Sequence, residues 1–180
     1  MKKIDITEWK EFEIRELFLT ENDSKKFQVP TGASIPKRYL REGQTPRISA
    51  TNIKNGILGY FEDVPNDKNY RCFKNFISVS FLGTIFYHDY KASLDMKIHC
   101  LKLKNKELNK YIAFYLISVI RKVIQETEYK DQLSSTVLPY IKIKLPVDKN
   151  ANPNWGYMEN FIKRLETRER ERVQAILQAI

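Results

Sequence analysis

Basic and amide side chains gather in one short part of this sequence, between residues 37 and 55. Within 37–54, five lysines and arginines stand against one acidic residue, Glu42. The overlapping segment ISATNIKNGILGYF (48–61) places a threonine, two asparagines and a lysine close to the dipeptide Asn55-Gly56. Lysine and arginine neutralise phosphates, which supplies most non-specific affinity for nucleic acid. The charge pattern is therefore typical of contact with a polyanion and equally of a solvated basic surface, and charge alone does not decide between them.

The composition is that of a folded protein with a basic surface. The chain has 180 residues, a formal net charge of +9 and a pI near 9.4. It has no long lysine and arginine block, so folding must build any basic surface. The first residues, MKKIDITEWKEFEI, have no apolar signal-peptide core, and no stretch has the roughly 18 apolar residues of a membrane span. Cys72 and Cys100 have no CxxC spacing, which predicts reduced thiols in a cytoplasmic protein.

Hydrophobic periodicity predicts the elements that must position the polar cluster. Residues 9–20 predict a short strand that runs into a helical turn, and the polar stretch 21–46 predicts a long loop. Strands are expected at 48–53 and 57–61 around a tight turn at Asn55-Gly56. Further expected strands cover 75–82, 85–87, 98–103 and 140–146, and a helix is expected over 107–126.

The end of the chain, 156–180, predicts one long helix with a narrow apolar stripe. The stripe recurs at steps of three and four and is interrupted by Glu169. A narrow stripe on a highly charged helix favours pairing with a second helix, and packing on its own domain is the alternative. The predicted pairing residues are Met158, Ile162, Leu165, Val173, Ile176 and Ile180.

Several segments together resemble a known family. They are the pattern W-x-x-F-x-I-x-x-L-F from Trp9, then TPRISATNIKNGILGYF (45–61), ISVSFLGTIFYH (77–88), IKLPVD (143–148) and NPNWGYMENFI (152–162). Their order and spacing over nearly the whole chain resemble the DNA specificity subunit of type I restriction-modification systems. More narrowly, they resemble one target recognition domain followed by one spacer helix.

The resemblance implies a fold and a set of partners. We expect an α+β fold: a mixed, mostly antiparallel sheet with flanking helices in a recognition domain (1–150), then a turn and a long helix (151–180). Specificity subunits of this family have no catalytic activity or cofactor of their own, and S-adenosylmethionine belongs to the partner. The implied partners are double-stranded DNA, the methyltransferase subunit and the nuclease subunit. Family members usually carry two domains and two helices, so this chain is expected to be a homodimeric half-subunit or part of a longer protein.

The resemblance also suggests which side chains contact DNA. Asparagine, arginine and lysine pair with base edges in the major groove, while hydroxyl groups reach phosphates or bases. Each candidate has a solvated side chain or a turn former as its alternative, and Asn55 suits a turn best. The predicted DNA-binding residues are Lys37, Arg38, Arg41, Arg47, Thr51, Asn52, Lys54 and Asn55, with Lys91 and Lys97 from a loop after the FYH strand.

Other functions have weaker signals in the sequence. A metal-dependent nuclease would use the triplet Asp95-Met96-Lys97 or Glu128-Tyr129-Lys130 with a second acid from Asp67 or Asp89. The segment Asn152-Pro153-Asn154-Trp155 lacks the second proline of an amino-methyltransferase motif. A third class of function is a protein–protein adaptor whose basic surface is incidental. A zinc site would require four residues to come together in the fold, although their positions lack the ligand spacing of known zinc sites. These residues are Cys72, His88, His99 and Cys100.

Overall fold

The computed structural model describes residues 9–23, 26–67, 69–126 and 133–179. Short turns of 3₁₀ type lie at Lys37–Tyr39 and Leu138–Tyr140. The strands and helices, in chain order, are β1 (Lys10–Glu13), α1 (Ile14–Leu17), β2 (Glu21–Asp23), β3 (Lys26–Gln28), β4 (Glu42–Ile48), β5 (Ile57–Phe61), β6 (Cys72–Ser80), β7 (Ile85–Leu94), β8 (Ile98–Leu101), α2 (Lys110–Glu126), β9 (Lys142–Leu145) and α3 (Trp155–Gln178).

The main sheet has five strands in the order β5-β4-β7-β6-β8. Strands β4 and β7 run parallel, and the other neighbouring pairs run antiparallel. Two small antiparallel pairs, β1 with β9 and β2 with β3, lie outside it. The predicted α+β class with a mixed, mostly antiparallel sheet and a long final helix is therefore confirmed.

The larger core lies between the main sheet, β1, β9 and α2. Alternation in β6 sends Ile77 and Val79 into this core, and both are fully buried. Helix α2 supplies an apolar stripe of which Ile112, Leu116 and Ile120 are fully buried. Burial of this stripe on the sheet stabilises a helix that would be marginal alone in water.

A smaller apolar cluster contains residues from β4, β6, β7 and β8. Gly32 lies against the end of β7, where an added Cβ would sit 2.1 Å from the Asp95 carbonyl oxygen, so only glycine fits. The segment around Gly32 also bonds to β8, through the Gly32 amide and the Ile98 carbonyl oxygen at 2.9 Å. The buried members of this cluster are Ile48, Phe76, Ala92, Leu94, Ile98 and Cys100.

Helix α3 is docked at its start and exposed at its end. Asn154 caps the helix by accepting a hydrogen bond of 3.0 Å from the Tyr157 amide. Met158 is fully buried in the larger core, whereas every residue from 169 to 179 is exposed. With 24 residues, α3 is about 36 Å long at roughly 1.5 Å per residue. Its second half therefore makes no apolar core of its own.

Polar contacts fix α3 to the start of α2. The side-chain Oδ1 of Asn109 accepts hydrogen bonds from the backbone amides of Tyr111 and Ile112, which caps α2. The amide nitrogen of the same side chain donates a 2.8 Å bond to Glu159 of α3. Lys163 donates a 2.6 Å bond to Glu159 and also lies over the Tyr111 ring. These contacts set the direction in which the exposed half of α3 leaves the domain.

Three expectations about local structure were wrong. The strand predicted at 48–53 is displaced toward the start of the chain. The observed strand, β4, begins at Glu42 inside the predicted loop and ends at Ile48. Strands β2 and β3 also occupy part of that loop. Strand β7 continues to Leu94, so His88 lies inside a strand rather than at its end. The continuation of β7 makes the parallel pairing with β4 possible, because the register joins Ile48 to Leu94.

Candidate nucleic-acid interface

The first group of predicted residues lies around the start of β4. Lys37 and Arg38 are exposed on the turn that precedes β4, and Arg41 is exposed directly before the strand. The Arg38 guanidinium lies 4.9 Å from the centre of the Tyr39 ring. Arg38 and Arg41 share a groove with Asp63 and neighbouring acidic residues. The structure thus adds negative charge to a region that is mostly basic in the sequence.

Asp63 organises this group by hydrogen bonds. It accepts bonds from Lys91, from the Tyr70 hydroxyl and, at 2.7 Å, from the Thr45 hydroxyl. These three bonds, with Lys91 first, lower the pKa of Asp63 to about 2. The hydrogen bond to Asp63 in turn raises the pKa of Lys91. Lys91 lies within β7 rather than in a loop, and its side chain is still 53% exposed.

The second group forms the connection between β4 and β5, which we call the reading turn (49–56). Asn52, Lys54 and Asn55 are exposed, and Thr51 is half-buried. The turn closes through a 2.9 Å bond from the Ser49 amide to the Gly56 carbonyl oxygen. Its last three residues all have left-handed backbone, with φ of 48° at Lys54, 56° at Asn55 and 78° at Gly56. Asparagine and glycine suit this region, which explains the Asn-Gly dipeptide.

The side chain of Asn55 bonds to strand β7. Its amide nitrogen donates to the Tyr87 carbonyl oxygen at 3.1 Å and to the Tyr90 hydroxyl at 3.2 Å. The Tyr90 hydroxyl lies 3.0 Å from His88 Nδ1, and His88 Nε2 lies 2.8 Å from the Ser78 hydroxyl. A chain of hydrogen bonds therefore runs from the reading turn into the sheet. The turn role expected for Asn55 matches this geometry.

Burial makes His88 a neutral member of this chain. The imidazole is fully buried, and desolvation lowers its pKa to about 4. The neutral ring has one donor nitrogen and one acceptor nitrogen, so it can bond to both the Tyr90 hydroxyl and the Ser78 hydroxyl. Ser78 is itself 2% exposed, so this serine and histidine are both enclosed by the protein.

Arg47 occupies the interior rather than the surface. It is 1% exposed, and its Nη2 donates bonds of 2.8 Å to both the Ala33 carbonyl oxygen and the Asp95 carboxylate. Among the described residues, Nη1 has no hydrogen-bond partner. An arginine held in this way cannot reach a nucleic acid without unfolding its surroundings. Charge and position in the sequence carry no signal for this burial, so the prediction of Arg47 as a contact residue is wrong.

Lys97 belongs to neither group. It is exposed in the connection between β7 and β8, has a φ of 65° and lies 4.6 Å from the centre of the Phe81 ring.

Asp95, the acid of the Asp95-Met96-Lys97 triplet, is ion-paired with Arg47. Glu128 of the other triplet lies outside the described residues. Within the described ranges, no three histidine, cysteine or acidic side chains come together to hold a metal ion.

The predicted pairing stripe on α3 divides into two parts. Met158 belongs to the core of its own domain, and Ile162 packs partly against it. Leu165 is half-buried, whereas Val173 is 55% and Ile176 is 61% exposed. Leu177, which the sequence reasoning did not include, is 68% exposed. Ile180 lies outside the described residues. The exposed apolar face therefore begins at Val173, about four turns beyond Met158.

These features define a class: an α+β domain with polar turns on one sheet, from which one helix projects. None of the described helices combines the length and apolar character needed to cross a membrane. The sequence model of the family described as the type I restriction modification DNA specificity domain matches residues 6–175. The chain belongs to this family.

Known proteins agree with this assignment. The chain is 26% identical over 163 residues to the Type II restriction enzyme BgcI specificity subunit S.BcgI of Heyndrickxia coagulans, covering 89% of this chain and 44% of that protein. It is 27% identical over 122 residues to the Type I restriction enzyme MpnII specificity subunit of Mycoplasma pneumoniae, covering 66% and 36%. The chain thus spans less than half the length of these two relatives.

Two solved structures share the fold. The HsdS subunit from Thermoanaerobacter tengcongensis superimposes with a TM-score of 0.61 at 12% identity, over 99% of this chain and 41% of that one. The S subunit of a type I restriction-modification system from M. genitalium has a TM-score of 0.55 at 17% identity, over 96% and 44%. At these identities the likeness establishes the fold alone.

Proposed function

We propose that this chain is a non-catalytic DNA-reading subunit that directs a methyltransferase subunit to its target. Residues 1–150 form the target recognition domain, and residues 151–180 form the turn and helix that set its spacing. The family match over residues 6–175 carries the proposal. The net charge of +9 supports it, because a basic surface attracts DNA before any base is read.

The two exposed groups of residues contact different parts of the DNA. Lys37, Arg38 and Arg41 contact phosphates at the start of β4, where their side chains are free to reach outward. The reading turn presents Asn52 and Lys54 to base edges or to the neighbouring backbone. Arg47 has no direct contact and instead supports the end of β4 from inside.

The projecting half of α3 pairs with the same helix of a second copy. Val173, Ile176 and Leu177 follow the i, i+3, i+4 spacing of a helix–helix seam and are exposed in the single chain. A two-fold pair would place two recognition domains on one duplex and so require an inverted-repeat target. A nuclease role has less support, because Asp95 is already paired with Arg47.

The test is methylation mapping in cells that carry a cognate modification subunit with or without this chain. Expression of the full chain should create one methylated motif with two-fold symmetry. A matched chain with Lys37, Arg38 and Arg41 changed to glutamine should lose most of this methylation. Unchanged methylation patterns in cells that contain both proteins would overturn the proposal.

A further inference from the structure

An apolar side chain occupies the tip of the reading turn. Ile53 is 62% exposed and stands between the exposed polar residues Asn52 and Lys54. On the strand that follows, Leu58 is 56% and Tyr60 is 53% exposed. One exposed apolar residue is ordinary on a protein surface. Three within eight residues, beside the residues proposed to read DNA, indicate a contact surface.

The backbone of the turn determines which side chains face outward. Lys54 and Asn55 both hold a left-handed conformation, which costs free energy in residues other than glycine. Asn55 offsets this cost through its bonds to Tyr87 and Tyr90. Gly56 packs closely, since an added Cβ would lie 3.2 Å from the Phe86 ring. The turn is therefore held in one shape, with Asn55 bonded inward and Ile53 directed to solvent.

The chemistry of DNA limits what such a side chain can recognise. Isoleucine neither donates nor accepts hydrogen bonds, so it cannot read the polar edge of a base. In the major groove, the apolar group that distinguishes one base pair from another is the C5 methyl group of thymine. Lys54 beside it supplies the positive charge that keeps a duplex near the turn.

We propose that Ile53 is a specificity-determining residue that contacts a thymine methyl group in the major groove. Asn55 is the positioning residue that holds Ile53 in place through Tyr90. This inference rests on the proposed function and deepens it, because it assigns one base preference to one side chain. Burial of one methyl group predicts about a fourfold preference for thymine at that position.

The experiment selects bound DNA from two libraries of randomised duplexes, using the purified full chain. One library contains thymine, and the other contains deoxyuridine, which lacks only the methyl group. The variants are Ile53→Ala and Asn55→Gly, where glycine keeps the left-handed backbone but removes the amide. Leu82→Ala serves as the control, because Leu82 is also 62% exposed but lies in the connection between β6 and β7.

The expected result is a motif with one thymine preference that is lost in the deoxyuridine library and in Ile53→Ala, while other positions persist. Asn55→Gly should reduce the same preference, and Leu82→Ala should not. The inference alone is overturned if Ile53→Ala leaves every base preference unchanged. It is also overturned if Ile53→Ala loses the same preference in the deoxyuridine library as in the thymine library. If the unmodified chain enriches no motif from the thymine library, the proposed function fails with it.

Discussion

The side-chain amide nitrogen of Asn55 lies 3.2 Å from the hydroxyl oxygen of Tyr90, and this hydrogen bond joins the reading turn to strand β7. Behind Tyr90, His88 and Ser78 continue the chain of bonds into the sheet. Hydrogen bonds thus connect an exposed turn to buried polar groups in the sheet. A solvent-exposed loop without such anchors would sample many shapes and lose base discrimination.

Replacement of Asn55 should separate backbone conformation from hydrogen bonding. Asn55→Gly removes two hydrogen bonds but permits the left-handed backbone, so we expect a loss of about 1–2 kcal/mol in unfolding free energy. Asn55→Ala should lose roughly 1 kcal/mol more, because alanine is strained at a φ of 56°. Urea denaturation measures both values. The exposed Asn52→Ala variant is the control, and equal losses for glycine and alanine would contradict the account.

Arg47 and Arg41 should behave differently although both are arginines before or within β4. Arg47→Ala removes a buried ion-pairing side chain and should lower the unfolding free energy by about 2–4 kcal/mol. Arg41→Ala should leave stability within roughly 0.5 kcal/mol, since Arg41 is exposed. It should instead reduce the slope of log binding constant against log salt by about 1 if it contacts a phosphate. A stable Arg47→Ala protein with weakened DNA binding would reverse these roles.

Acid should destabilise the fold through its buried histidines. The pKa of His88 falls from 6.5 to about 4 on folding, and burial also lowers the pKa of His99. Because the folded-state pKa lies below the unfolded one, the full stability is present above pH 6.5 and declines as the pH falls from 6.5 toward 4. His88 alone should account for about 3 kcal/mol of this loss at roughly 1.4 kcal/mol per pH unit.

Urea denaturation at several pH values between 7.5 and 4.5 would measure this decline. A His88→Gln variant keeps an amide donor and acceptor without titrating in this range, so its stability should fall less steeply. The carboxylate of Asp63, with a pKa of about 2, does not contribute until the pH is lower. Equal slopes for the variant and the unmodified chain would show that His88 does not titrate as described.

The two parts of α3 should respond to different measurements. Met158→Ala opens a cavity in the domain core and should lower the unfolding free energy by about 2–5 kcal/mol. Ile176→Asp changes an exposed side chain, so it should leave the unfolding of the domain nearly unchanged. If α3 pairs with a second copy, Ile176→Asp should halve the mass found by light scattering. The exposed Glu171→Gln variant is the control, and a mass insensitive to Ile176 would rule out this seam.

Element type followed from periodicity where one face of an element is buried. The strand containing Ile77 and Val79, the helix α2 and the helix α3 were all predicted because their apolar residues recur at the matching period. Element boundaries failed around β4, where apolar residues are few and the buried positions include Arg47 and Pro46. The residue type does not distinguish a buried arginine from an exposed one, so hydrophobic periodicity could not identify this strand.

The sequence by itself determined the fold class, the basic surface, the Asn-Gly turn and the family, because these depend on local pattern and on the order of segments. Tertiary structure alone decided which charges are free. It brought Asp95 to Arg47 across 48 positions in the chain, Lys91 to Asp63, and Tyr90 to Asn55. Such contacts join residues that are far apart in the sequence, and their formation depends on sheet order and register. Those properties belong to the packed chain as a whole, and no short stretch of residues carries them.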